Sequence, residues 1–206
     1  TDDLVFLKRH LQLGGVHLRG VIINKVSNVA DFCDTRLPKI KQHGVGVLGV
    51  IPCYKELTYF SVSYLADRLF AKIITCEEKL SSTAKNIFIG SMSVDAALKN
   101  PLFRQESTVI VTGGDRHDMI AAAVEDNAAA VILTNNVLPP STLIAAAAQR
   151  GIPLLLVSAD TFETARQIDS LEPLPTKDDS GKIALFEQMV RTHVNLEALF
   201  PSSGGV

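Results

Sequence analysis

The chain has 206 residues, a formal net charge of −2 and a hydrophobic fraction of 47%. This charge balance gives no general reason to expect nucleic acid or an anionic membrane as a partner, because both select strongly basic surfaces. The sequence has no uninterrupted apolar run of about 18 or more residues, which is the length that would predict a membrane-spanning helix. Cys33, Cys53 and Cys76 lack the close spacing of metal or redox motifs and fit a reducing compartment. Without a recognisable signal sequence, a cytoplasmic location is expected.

The N-terminal quarter alternates predicted helices and strands. Residues 4–13 have helical spacing and are followed by a glycine pair that would end the helix. Residues 20–26 and 46–51 have the apolar composition of buried strands, and residues 31–42 between them have helical spacing despite Pro38. Two strands joined by a helix predict a parallel βαβ unit.

Downstream of an amphipathic helix predicted over residues 58–74, short apolar strands alternate with helices. Each of the four strands that begin after residue 86 ends at a small hydroxyl residue, and these residues are Ser91, Thr112, Thr134 and Ser158. If the strands are parallel neighbours, the four residues share the carboxyl edge of one sheet, where open α/β proteins usually bind ligands. The alternative is that each hydroxyl merely satisfies a turn backbone.

Several helix signals are visible in this part of the chain. Ser93 is a predicted N-cap, Pro140 suits a first helical turn, and Asp160 with Glu163 predicts a capping box. After residue 172, prolines and charges predict a linker, which is followed by a helix over residues 182–200 and an end of flexible composition.

Residues 109–124 predict a strand that turns sharply into a helix at Gly113 and Gly114. Asp115 is expected to cap the helix or to lie in its first turn. Free amides of the turn, the positive end of the helix dipole and the Arg116 guanidinium would together suit an anion or a phosphorylated ligand. The alternative is that Asp115 only caps, that Arg116 pairs with a neighbouring carboxylate, and that nothing binds.

The candidate ligand-binding residues come from this turn and from the shared strand edge. They are Thr112, Gly113, Gly114, Asp115, Arg116, Thr134, Asn135, Ser158 and Ser91. The sequence lacks Gly-x-Ser-x-Gly, His-Glu-x-x-His and the phosphate loop Gly-x-x-x-x-Gly-Lys-Ser/Thr. We therefore predict no catalytic residue, no metal site and no cofactor.

Two segments resemble the DRTGG domain, which is named for an Asp-Arg pair and a later Thr-Gly-Gly. They are Thr112-Gly-Gly-Asp-Arg-His-Asp and Val131-Ile-Leu-Thr-Asn-Asn, so asparagine replaces both later glycines. Asparagine tolerates left-handed backbone second only to glycine, and the turn is expected to survive. The resemblance implies an α/β fold with three layers and a mostly parallel sheet flanked by helices, related to the N-terminal domain of HPr kinase.

A longer ordered set of segments is similar to the N-terminal region of the long bacterial phosphate acetyltransferases. The segments are Gly20-Val-Ile-Ile-Asn-Lys-Val, Leu48-Gly-Val-Ile-Pro, the Asp-Arg segment, Ser158-Ala-Asp-Thr-Phe-Glu-Thr-Ala, and residues 182–199 with Thr192-His-Val-Asn. The first also resembles a nucleoside-triphosphatase strand whose asparagine contacts a purine. Because the phosphate loop is missing, we expect no nucleotide at Asn24.

The second resemblance implies three parts. Residues 1–56 would be the tail of a dethiobiotin-synthetase-like P-loop domain, 57–172 a DRTGG domain, and 173–206 a linker and helix leading to a catalytic domain outside the chain. That domain would exchange acetyl groups between acetyl-CoA and phosphate.

Three functions follow as hypotheses. The first is a non-catalytic regulatory and oligomerisation fragment of a phosphate acetyltransferase. Its partners would be further copies of itself, a small anionic metabolite and the catalytic domain, with no nucleic acid and no membrane. The second is a stand-alone DRTGG protein that senses a ligand. The third is an enzyme acting on a phosphorylated compound with Asp115, His117 and Asp118 as the clustered acid–base candidates.

Overall fold

The structure is a computed structural model, and it describes residues 6–7, 10, 18–173, 175 and 179–200. The chain divides into two compact units. The first unit comprises Thr1–Leu57 and Pro175–Val206, and the second comprises Thr58–Leu174. The helix predicted over residues 4–13 and the predicted linker and C-terminal end fall largely outside the described residues. The division at residues 56 and 172 stays a prediction.

The elements follow one another along the chain as β1 (Val21–Val26), α1 (Val29–Thr35), α2 (Leu37–Gln42), β2 (Val47–Pro52), β3 (Phe60–Ser61), α3 (Val62–Arg68), β4 (Lys72–Ile73), β5 (Thr83–Ala84), β6 (Asn86–Ile89), α4 (Val94–Lys99), β7 (Thr108–Gly113), α5 (His117–Glu125), β8 (Ala130–Thr134), α6 (Ser141–Gln149), β9 (Leu154–Leu156), α7 (Thr161–Asp169), α8 (Ser180–His193) and α9 (Leu196–Leu199). Short 3₁₀ turns span Lys55–Thr58 and Glu77–Lys79. No helix among the described residues is long and apolar enough to cross a membrane.

In the first unit, β1 and β2 pair in parallel, as the βαβ pattern predicted. Its small core gathers Ile51, Met189 and Val194 from β2, α8 and the residue after α8. The apolar side chains of Ile22 and Ile183 stay 40% and 45% exposed. Two parallel strands with exposed apolar residues bury much less than a parallel sheet normally does, since such sheets are covered on both faces.

The second unit is a mixed α/β structure with a mostly parallel five-stranded sheet flanked by helices. The strand order is β4-β9-β8-β7-β6; β6 to β9 are parallel, and β4 joins β9 antiparallel. A separate antiparallel pair is formed by β3 and β5. The parallel strands β7, β8 and β9 are almost entirely apolar and fully buried, as strands covered on both faces must be, whereas the edge strand β6 is mostly half-buried.

Alternate residues of the strands point into two cores, which make the second unit three-layered. Ile110, Leu133 and Leu154 belong to the core that is shared with α4, α5 and α6. Their neighbours Val109 and Ile132 belong to the opposite core, which is shared with α3 and α7. This period of two follows from the pleat of the strands.

Three predicted helices are shorter or divided. Residues 31–42 form α1 and α2, because Pro38 lacks an N–H and its ring hinders a continuous helix. Residues 182–200 form α8 and α9, because Val194 is extended and bridges Gly49. The helix predicted over residues 58–74 is only α3, and Lys72 and Ile73 form the edge strand β4.

The starts of three helices also differ from expectation. Helix α5 begins at His117 with Arg116 at its N-cap and no side-chain cap, so the prediction that Asp115 caps it or lies in its first turn is wrong. Pro140 is the N-cap residue of α6 rather than part of its first turn. Asp160 caps α7 by accepting from the Glu163 N–H, whereas the Glu163 carboxylate accepts hydrogen bonds from Arg166 and Gln167. Ser93 caps α4 as predicted.

Candidate functional site

The four hydroxyl-bearing strand ends share the carboxyl edge of the sheet, as predicted. The parallel register pairs Val111 of β7 with Ile89 of β6, and Thr112 with Leu133 of β8. Ser91, Thr112, Thr134 and Ser158 therefore end neighbouring strands. Whether this edge binds a ligand remains a prediction.

The turn after β7 is held in place by a neighbouring loop. Gly113 and Gly114 are both buried. A Cβ on Gly114 would overlap the carbonyl oxygen of Val137, in the loop between β8 and α6. The close approach that this glycine permits is therefore used by the protein's own backbone.

The Arg116 side chain joins the turn to the loop after β6. Its Nη2 donates to the Met92 carbonyl at 2.8 Å, and its Nη1 donates to the Gly90 carbonyl at 3.4 Å. Its Nε lies 3.4 Å from Oδ1 of Asp118. Three of the five guanidinium N–H donors are thus engaged, and two remain for a ligand.

Two carboxylates, those of Asp115 and Asp118, also belong to the turn. A Cβ on Gly113 would overlap Oδ1 of the exposed Asp115, so this carboxylate folds back over the glycine. The pKa of Asp118 is lowered, first by a hydrogen bond from the Met119 N–H and then by Arg116, and burial opposes the shift. The negative charge of Asp118 is consequently well stabilised at the start of α5.

Two backbone donors of the turn are left over. Among the described residues, the N–H groups of Gly114 and Asp115 have no protein acceptor, whereas those of Arg116 and His117 bond to Gly113 and Asp115 carbonyls within the turn. Free amides beside the positive end of a helix are a recognised setting for an anion or another acceptor.

The second signature turn adopts the backbone expected of it. Asn135 and Asn136 have φ of 64° and 54°, in the left-handed region that asparagine tolerates. Their N–H groups bond to the Ala159 and Val157 carbonyls, so they hold the end of β9 instead of facing solvent. The Asn-for-Gly replacements therefore preserve the turn.

The four hydroxyls have two different environments. The buried Thr134 hydroxyl bonds to the hydroxyl of Thr161 at 2.8 Å, and the buried Thr112 hydroxyl makes a long contact of 3.5 Å to the Gly90 carbonyl. Both hydroxyls are engaged within the protein, but only that of Thr112 contacts backbone, as the turn interpretation held. Ser91 and Ser158 are exposed and remain open to a ligand.

Sequence reasoning missed three residues that complete the edge. Met92 and Val137 supply the carbonyls beside Arg116 and Gly114, and both side chains are over a third exposed. Thr161 binds the Thr134 hydroxyl. The sequence carries no periodic signal for such loop contacts, because they depend on the tertiary approach of separate turns.

The edge offers hydrogen-bond donors, a partly free guanidinium, carboxylates and two exposed apolar side chains. Together these groups can bind a ligand, but none of them is a nucleophile that lies beside a base. In the part of the chain that the structure describes, no group of three or more His, Cys, Asp or Glu side chains is placed to hold a metal ion.

The second unit is thus an α/β domain whose Asp-Arg turn and left-handed Thr-Asn-Asn turn lie on adjacent strands. The family model of the DRTGG domain matches residues 64–171, and the chain belongs to this family. The Asp115–Arg116 pair and the Thr134–Asn136 triplet, which resemble the family signature, both lie within this range.

The chain is 30% identical over 200 residues to a phosphate acetyltransferase of Pseudomonas putida, and the match covers 90% of this chain and 28% of that protein. It therefore spans less than a third of this relative. The chain is also similar to a solved structure of the CBS and DRTGG domains from the regulatory region of Clostridium perfringens pyrophosphatase, complexed with the activator diadenosine tetraphosphate. The match covers 84% of this chain and 87% of that chain. Sequence identity to it is 16% and the TM-score is 0.49.

Proposed function

We propose that this chain is a non-catalytic regulatory and assembly segment of a phosphate acetyltransferase. The observation that carries the proposal is the 30% identity to the Pseudomonas putida enzyme over nearly the whole chain, combined with the small share of that enzyme it covers. The parent would exchange acetyl groups between acetyl-CoA and phosphate in a domain outside these residues.

The first unit supports this placement. Its two-stranded parallel sheet, with Ile22 of β1 40% exposed, is typical of one part of a larger parallel sheet. A dethiobiotin-synthetase-like domain that includes residues 1–56 would supply such a sheet.

Ligand sensing is assigned to the carboxyl edge of the second unit, with the residues predicted from sequence: Ser91, Thr112, Gly113, Gly114, Asp115, Arg116, Thr134, Asn135 and Ser158. The free amides of Gly114 and Asp115 and the remaining guanidinium donors support a phosphate or carboxylate group there. Because the Asp115 carboxylate lies over Gly113, a ligand that also presents hydroxyl donors fits better than inorganic phosphate alone. Acetyl-CoA, free CoA and nucleotides have such hydroxyls on their ribose.

Thermal shift tests the site. Acetyl-CoA, CoA, ATP and inorganic phosphate are each added to the chain, to Arg116→Ala and to the control Arg104→Ala. Arg104 lies before β7, at the amino edge of the sheet. Its side chain is 60% exposed and forms an ion pair with Asp126. At least one compound should raise the melting temperature of the chain and of Arg104→Ala, with a smaller increment for Arg116→Ala. No increment for any compound would remove the site.

Catalysis is tested separately. The purified chain, incubated with acetyl-CoA and phosphate, should form no acetyl phosphate above a blank without protein. Formation above the blank would overturn the assignment as a non-catalytic segment.

A stand-alone ligand-sensing DRTGG protein is the second candidate, and the observation that favours it is that the second unit closes both of its own cores within Thr58–Leu174. The full reading frame of the gene discriminates, because a downstream acetyltransferase domain is expected only for the first candidate.

A further inference from the structure

An open apolar groove of about 630 Å³ lies beside β6, on the face of the sheet that α3 and α7 cover. Helix α7 packs mainly over β7, the strand next to the outermost strand β6. Ile87 and Ile89 of β6 consequently line the groove half-buried, together with Phe60, Phe162 and Leu171. The groove is thus the uncovered border of the second unit.

The two edges of the sheet are treated differently. The edge strand β4 has two residues and runs antiparallel, which is a usual way to blunt an edge. The opposite edge strand β6 has four residues and, of the strands that the structure describes, pairs with β7 alone. The N–H groups of Asn86 and Gly90 bond to the carbonyls of Ser107, just before β7, and of Val111 in β7. The alternating N–H groups of Ile87 and Ile89 therefore point outward without a strand partner.

The outer face of α7 carries both halves of a complementary contact. Phe162 is 78% exposed at the rim of the groove, so a protruding aromatic side chain lies next to an apolar depression. Arg166 and Asp169 line the same groove with opposite charges. Arg166 bonds to Glu163 through Nε and Nη2 and keeps Nη1 available, and Asp169 has no side-chain partner among the described residues.

We infer that this surface, the free edge of β6 together with its groove, binds a second copy of the chain about a two-fold axis. A two-fold contact requires that one surface patch be complementary to itself. Here the exposed Phe162 and the apolar groove, and the opposite charges of Arg166 and Asp169, lie within one patch. Antiparallel pairing of β6 with its counterpart would extend two five-stranded sheets into one. Phe162 and Arg166 of each copy would then enter the groove and meet Asp169 of the other. The inference rests on the assembly part of the proposed function and supplies its surface.

Sedimentation equilibrium tests the inference with matched aromatic substitutions. The 206-residue chain should be a dimer. Phe162→Asp should raise the dimer dissociation constant at least about tenfold, as loss of an aromatic anchor does. Phe70→Asp is the control, because Phe70 is 94% exposed just before β4, at the far edge of the sheet, and should leave the constant unchanged.

Two further readouts keep the test independent of any folding defect in a variant. Ile87→Pro removes an outward N–H that makes no bond to β7, and it should weaken the dimer like Phe162→Asp. In the unmodified chain, amide exchange at Ile87 and Ile89 should slow as protein concentration rises. If the chain dimerises and neither Phe162→Asp nor Ile87→Pro weakens the dimer, the inferred surface is wrong, although the proposed assembly role stands. A monomer at all concentrations would overturn both.

Discussion

At the scale of single residues, the signature turns are held by backbone contacts more than by side chains. Gly114 is required because the Val137 carbonyl lies where a side chain would start. The φ of 64° at Asn135 favours glycine or asparagine over other residues. Arg116 holds the loop after β6 through two carbonyls. The Asp-Arg signature therefore has a structural role that is present before any ligand binds.

Replacing Gly114 by alanine should lower the free energy of unfolding by ~1–3 kcal/mol, because the added Cβ forces the Val137 loop to move. Thermal or urea unfolding measures the change. Gly181→Ala is the control: nothing lies within 4 Å of a Cβ there, and a helical alanine should stabilise by about 0.5–1 kcal/mol. An unchanged stability of Gly114→Ala would mean that the loop yields freely.

Asn135 can be compared with the glycine that the family signature has at this place. Asn135→Ala should destabilise by roughly 1 kcal/mol, because alanine pays the left-handed penalty without local compensation, whereas Asn135→Gly should be close to neutral. Urea unfolding of the two variants decides. Equal stabilities would show that the backbone conformation at Asn135 costs nothing.

At the scale of elements, helix ends explain what the sequence could and could not predict. Helices α3, α5 and α6 all end in the same hydrogen-bond pattern, in which Ala71, Ala128 and Ile152 donate back to Ala66, Ala123 and Ala147. The left-handed residues are Phe70, Asn127 and Gly151. Glycine and asparagine are the residues that usually mark such a helix end. Phenylalanine gives no such signal, so the predicted helix ran on into β4.

Phe70→Gly should therefore stabilise the second unit by ~1 kcal/mol, since it relieves the left-handed strain at φ 50° on a side chain that is 94% exposed. Phe70→Ala should change little, because it keeps the strain, and Asn127→Gly should gain less than Phe70→Gly. Thermal unfolding ranks the three variants. A destabilising Phe70→Gly would show that the aromatic side chain contributes contacts that outweigh the strain.

At the scale of the whole molecule, strand periodicity carried most of the information. The apolar runs predicted the four parallel strands and the sharing of one carboxyl edge by Ser91, Thr112, Thr134 and Ser158. Contacts that join separate turns, such as Val137 over Gly114 or Thr161 with Thr134, leave no trace in local pattern. For the same reason, the sequence predicted that the four hydroxyl residues would share the edge, but it did not predict which of their hydroxyls would be hydrogen-bonded within the protein.

The topology also limits where a ligand can sit. Helices α4, α5 and α6 all pack on one face of the sheet, so the order of the parallel strands never reverses. Open α/β proteins usually bind ligands in the crevice where that order reverses. The second unit has no such reversal, and the proposed binding site lies instead in the loops above the edge, around the free N–H groups of Gly114 and Asp115.

The central claim is that this edge binds a metabolite without transforming it. A titration of the ¹⁵N-labelled chain with acetyl-CoA in the presence of phosphate, followed by amide chemical shifts, tests it most directly. Saturable shifts centred on Gly114 and Asp115, with acetyl-CoA unchanged at the end of the titration, are the predicted result. Shifts confined to other parts of the chain, or conversion of acetyl-CoA during the titration, would contradict the claim.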